Sequence, residues 1–308
     1  MNPELNRRTF LKNTGGLVVA GGAIELLLAA CGGNVSNTTT GSTPNAGATP
    51  IGHAGLMKPG TLQWGADYVS GAPYVFQNPA NPNELVGFEV EIAMAMAKLM
   101  GVSQKMIETC YGELDQALAA SKFDMVMNGW EVTTERKKTQ LFSDPYYSYG
   151  QQMVVRADDA RFSQYTATSD VPLSTLEGFT VGTGDGYKAA TYLQADSKIT
   201  TKLYNGNLPF DDCKQKKIDA VMVDVPIVAY YVQGAGPGAT ADSALKLLGK
   251  PLYYDVYVVG FKQSNPNTSI LLPEINAAIA RLKANGTLKQ IYQKWSLWND
   301  QQGTIGVK

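Results

Sequence analysis

Histidine occurs once in the 308 residues, at His53. That scarcity removes Ser-His-Asp and Cys-His catalysis, and histidine-held metal, from the rest of the chain. Cysteine is nearly as rare. Cys110 and Cys213 stand roughly a hundred residues apart in what read as different lobes, so two independent thiols are expected. No excess of one charge exists either: 26 Lys and Arg face 27 Asp and Glu, for a net charge of −1. Without a basic patch, nucleic acid is excluded as a partner, and small solutes or other proteins are expected instead. Long apolar runs are also missing, since the stretch from Leu17 to Leu28 falls short of the ~20 residues of a membrane span and carries Glu25. The glycines of Gly182-Thr183-Gly184-Asp185-Gly186 follow a predicted strand, but their spacing is wrong for a dinucleotide loop. No cofactor and no metal are expected.

What is present begins with an address. Arg7-Arg8-Thr9-Phe10-Leu11-Lys12 is similar to the twin-arginine export motif, and Leu28-Ala29-Ala30-Cys31 after the apolar run is similar to a lipobox. Residues 1–30 are therefore expected to be a signal peptide, and Cys31 the lipidation site that tethers the protein to the cell membrane, facing a periplasm or the outside. From Gly32 to residue 58 the chain is rich in Gly, Ser, Thr, Asn and Pro and lacks the apolar side chains that offset chain ordering, which predicts a flexible tether. The remaining ~250 residues suffice for one large domain or two ordinary lobes.

Strands and helices alternate through that body. Leu62 to Ala66 predicts a strand with Asp67 at its end, where ligand-facing residues of open α/β sheets sit. A loop rich in Pro, Asn and Gly follows. Ile92, Ala95, Met96 and Leu99 then share a helical face, with Glu89 and Glu91 near its start and Gly101 as stop. A strand near 105–108, a helix over 113–120 and a strand at 125–127 continue the pattern. The rhythm returns after residue 170 with strands at 179–183, 201–204 and 220–223 and helices over 188–194 and 210–216. Alternation of this kind implies parallel βα units in two α/β lobes. The extended segments 151–156 and 253–261 predict two crossings between them, giving lobe 1 over 59–153 and 258–308 and lobe 2 over 154–257. Leu271, Ile275, Ala278, Ile279 and Leu282, then Leu288, Ile291, Tyr292 and Trp295, predict closing helices packed on lobe 1.

Six motifs stand in order along residues 60–297: Gly87 to Ala93, Thr133 to Arg136, Phe142 to Tyr147, Leu176 to Gly178, Val181 to Gly186, and Ile218 to Asp224. With these the chain resembles the family 3 extracellular solute-binding proteins, the amino-acid-binding subunits of ABC importers. The resemblance implies a periplasmic-binding-protein-like fold, a monomer, an amino-acid-like solute in the cleft between the lobes, and delivery to an ABC transporter permease. It implies that Arg136 grips a solute carboxylate through its two-donor fork and that Asp224 receives the ammonium. Asp67 matches a further acid beside the solute, and Tyr111 an aromatic stacked on it. Asn128, Gly129 and Gly186 complete the expected ligand-binding set. Plainer readings stand beside these: Asp224 as the N-cap of the helix begun by Val225-Pro226, Asp67 as a strand-end turn residue, and Tyr111 as core.

Two positions depart from the family's pattern. Glu131 stands where a hydroxyl residue commonly helps to bind the solute carboxylate, and Tyr187-Lys188 follow Gly186 where small hydroxyl residues are usual. A buried acid needs a cation nearby. Glu131 is thus expected either to pair with Arg136 or Lys188, or to receive a cationic group of the solute. An enzyme on the same scaffold, similar to a cyclohexadienyl dehydratase with Glu131 and Lys188 as acid and base, is the alternative function, and a ligand-sensing receptor is another.

Overall fold

The computed structural model describes residues 55–69 and 71–308. The signal peptide, the lipidation site Cys31, His53 and nearly all of the tether lie outside the described residues. The first sheet runs in the order Ser103–Glu108, Thr61–Ala66, Met125–Val126, Gly260–Lys262, Gln140–Phe142. Its first three strands are parallel, and Gly260–Lys262 closes against Met125–Val126 and Gln140–Phe142 in antiparallel sense. The second sheet is ordered Leu245–Leu247, Tyr147–Arg156, Ala220–Asp224, Thr180–Gly184, Thr200–Tyr204, with Leu252–Tyr257 also paired to Tyr147–Arg156. Its last three strands in that order are parallel. The chain passes between the sheets through residues 143–146 and returns through 258–259. The fold is a two-lobe α/β architecture of mixed sheets covered by helices.

Local sequence explains the elements that position the cleft. In the helix Phe88–Met100, Phe88, Ile92 and Met96 are fully buried, with Ala95 and Leu99 partly buried against the same core. Gly101 ends it in the left-handed conformation, its N–H bonded to carbonyls of the last turn. Gly87 is required at the helix entrance: at φ 144° a Cβ would stand 2.0 Å from the Tyr74 carbonyl oxygen, so only glycine lets the two backbones meet. In the closing helix Thr268–Ala284, all five residues expected on the apolar face, from Leu271 to Leu282, are buried.

The loop expected after Asp67 contains instead a hairpin, Phe76–Asn78 with Asn81–Val86. Its second strand is mostly exposed and polar, so it carried no alternating signal. The hairpin is anchored by Phe76, whose ring meets Tyr230 at 5.3 Å and Trp295 at 5.9 Å, both edge-on. Cys110 is exposed and Cys213 buried, and both are free thiols.

Candidate functional site

Parallel strands present their carboxyl ends to one crevice, the usual ligand position of open α/β sheets. Asp67 follows the strand Thr61–Ala66, Tyr111 follows Ser103–Glu108, and Asn128, Gly129 and Glu131 follow Met125–Val126. From the second sheet, Tyr187 follows Thr180–Gly184, Asp224 ends Ala220–Asp224, and Ile227 lies just beyond. These eight, with Gly71 and Tyr74, line one narrow cavity that leaves only about 20 Å³ for the centre of a water-sized molecule. That is little more than one water's worth, so a solute enters only when the lobes part.

Six of the nine residues expected from sequence are thus brought together: Asp67, Tyr111, Asn128, Gly129, Glu131 and Asp224. Arg136, Gly186 and Lys188 do not line the cavity; Gly186 is exposed, in a left-handed turn at φ 76° beside the Tyr111 ring. Tyr74, Gly71, Tyr187 and Ile227 are lining residues that the expected site lacked.

The first-lobe wall is fixed by its own hydrogen bonds. Asp67 accepts the Val69 N–H at 2.8 Å and the Tyr111 N–H at 3.2 Å, while its own N–H donates to Asn128 Oδ1 at 2.9 Å. Asp67 is therefore a turn-forming residue as well as a lining one. Gly129, at φ 57°, donates its N–H to Glu89 Oε1 at 2.8 Å, and the Tyr146 hydroxyl donates to the same oxygen at 2.5 Å. Burial pushes Glu89 up to about 7 against these two opposing bonds.

Asp224 does not cap the helix Val225–Tyr231 with its side chain. It accepts instead from Gln151 Nε2 at 2.7 Å and from the Tyr257 hydroxyl at 2.5 Å, and Tyr257 meets the Tyr74 hydroxyl at 2.8 Å. The Tyr257 ring stacks on Tyr149 at 4.1 Å. Burial raises the Asp224 carboxyl above the usual range despite these donors. We predict that Tyr257→Phe, which leaves Tyr74 and one Asp224 oxygen short of a partner, costs about 1–3 kcal/mol of stability in urea unfolding. An unchanged midpoint would remove Tyr257 from this network.

Glu131 is 1% exposed. One oxygen accepts from the Tyr149 hydroxyl and the other from the backbone N–H of Lys188 at 3.1 Å, a bond that crosses the cleft. Burial, then the nearby Asp224 charge, raises its pKa. The expected side-chain pairing with Arg136 or Lys188 is not formed: Lys188 Nζ pairs with Asp255, and Arg136 donates from Nη1 to the Glu131 carbonyl oxygen at 3.1 Å and from Nε to Asp115 at 3.2 Å. The guanidinium lies 3.3 Å from the Trp130 ring centroid. The Thr133 hydroxyl accepts the Arg136 N–H at 3.1 Å, fixing the chain just before the turn Arg136–Lys138.

Two lobes, a cleft at strand ends and a buried acid from each side define a solute-binding protein. The chain belongs to the bacterial extracellular solute-binding proteins, family 3, whose model matches residues 66–297. It is 27% identical to ABC transporter arginine-binding protein 1 of Escherichia coli K12, over 71% of this chain and 85% of that one. Among solved structures, an ancestral arginine-binding protein bound to arginine aligns with a TM-score of 0.64 at 30% identity, covering 77% of this chain and 98% of that one. The ancestral amino acid-binding protein AncCDT-1, a precursor of cyclohexadienyl dehydratase, aligns with a TM-score of 0.65 at 27% identity, over 78% and 96% of the two chains.

Proposed function

We propose that this protein captures an amino acid or a related small solute outside the cytoplasm and delivers it to an ABC importer, as a binding subunit and not an enzyme. The observation that carries this reading is the cleft itself: Asp67 and Glu131 from the first lobe face Asp224 from the second across a cavity too small to fill without hinge motion. The Glu131 to Lys188 N–H bond and the edge-on contact of Tyr111 with Tyr187, at 5.1 Å, join the two sides in the closed arrangement. Closure around a solute is then the signal that a permease reads. The relatives named above, which bind arginine or other amino acids, support the class of solute. The twin-arginine and lipobox patterns support export and a lipid on Cys31, with a monomeric body on a tether.

A thermal-shift screen of amino acids, amines and small organic acids, including prephenate and arogenate, tests the reading. A bound solute at ~100 times its dissociation constant adds about 2.7 kcal/mol, a readily seen shift. Stabilisation without turnover is expected. Consumption of prephenate or arogenate would show the enzyme that the AncCDT-1 likeness keeps in view.

A further inference from the structure

We propose that the cleft selects an organic cation that lacks a carboxylate, an alkylamine or alkylguanidine, because among the described residues its lining sets Glu131 with Asp67 and Asp224 and includes no lysine or arginine to receive a solute carboxylate. This rests on the binding reading above and names the solute class of the same cleft.

The charges around the cavity carry the inference. Among the described residues, three carboxylates line it, from Asp67, Glu131 and Asp224, and no lysine or arginine does. The two cations that could have received a solute carboxylate are committed elsewhere, Lys188 Nζ to Asp255 and Arg136 to Asp115, the Glu131 carbonyl and the Trp130 face. The backbone N–H of Lys188 is held by Glu131 itself. A carboxylate entering this space meets like charge at close range without a paired cation, in a buried setting that weakens screening.

A cation meets the reverse. The three acids attract it, and Tyr74, Tyr111 and Tyr187, which line the same cavity, are aromatic residues of the kind that attracts an ammonium or guanidinium. Tyr149 and Tyr257 donate to Glu131 and Asp224, orienting both carboxylates before the solute arrives. Burial raises the Glu131 and Asp224 carboxyls, and the Asp224 charge raises Glu131 further, so a cation that enters between them favours the ionised form of both.

Matched pairs that differ only by the carboxylate test the idea: arginine against agmatine, lysine against 1,5-diaminopentane, ornithine against 1,4-diaminobutane. Titration calorimetry of the purified protein is expected to show at least one decarboxylated member binding ~10-fold or more tightly than its parent amino acid. Glu131→Gln, which keeps an acceptor for the Lys188 N–H, is expected to weaken that amine ~10-fold or more. Glu131→Thr is expected to shift the preference toward the amino acid. Tighter binding of every amino acid than of its amine overturns the inference and leaves solute capture standing, as does binding confined to neutral or acidic solutes. Turnover of a screened compound overturns both readings. Should Glu131→Thr fail to fold, the matched pairs on the unaltered protein and the Gln variant decide alone.

Discussion

Replacing Asp224 by Asn is expected to lower affinity for the solute roughly 100-fold or more, while the melting temperature of the empty protein stays level or rises. The two effects have one cause seen from opposite sides. A buried carboxylate facing a cation contributes several kcal/mol to binding, and removing its charge takes about 2–5 kcal/mol from the complex. In the empty protein burial opposes the same charge, which is why the Asp224 carboxyl is raised. Asn keeps an acceptor for Gln151 Nε2, now 2.7 Å from Oδ1, so the strand end should hold its place. Calorimetric titration beside a thermal melt separates the two quantities. Unchanged affinity would place the solute away from Asp224, and a large drop in melting temperature would make the residue structural.

The second large effect concerns pH and Glu89. Its side chain is fully buried under the Gly129 turn, and its pKa is raised from 4.5 to about 7. A carboxyl raised by folding keeps its proton in the native state after the unfolded chain has released it. Its contribution therefore favours the fold below about 4.5 and is lost as pH climbs through about 7, a change of about 3 kcal/mol at 1.36 kcal/mol per unit. Glu131 and Asp224 act in the same direction but are untouched by a change at Glu89. Glu89→Gln retains an oxygen for the Gly129 N–H and the Tyr146 hydroxyl and carries no charge. Its stability relative to the unaltered protein is expected to rise steadily from pH 4.5 to 7.5 in urea unfolding. A difference that does not vary with pH would mean that Glu89 is ionised throughout.

Much of the frame could be read from sequence because strand and helix periods are strong where one face is buried. The parallel strands and the helices following them occur close to where alternation and capping placed them, and Asp67 and Asp224 sit at strand ends as expected. The cleft was less legible. Tyr74 belongs to an irregular segment without period, and its place in the cavity depends on Tyr257, far along the chain. Lys188 opens a helix, where backbone and side chain point to different neighbours, so a residue letter could not show that Glu131 takes its N–H while its ammonium turns to Asp255. Arg136 opens the turn Arg136–Lys138, but the direction of its guanidinium is set by Trp130 and Asp115, which precede it on other elements. Direction of long side chains is a tertiary property.

The two free thiols among the described residues differ in a way that makes the protein easy to instrument. Cys213 is buried, with burial pushing its thiol up to about 11, so it resists alkylation at neutral pH. Cys110 is exposed and adjoins Tyr111, the ring that abuts Tyr187 on the opposite lobe. A maleimide dye on the folded body therefore attaches beside a contact that the proposed closure around a solute would make and opening would break. The chain carries a ready attachment point for an optical reporter of its own occupancy, with no cysteine to be introduced.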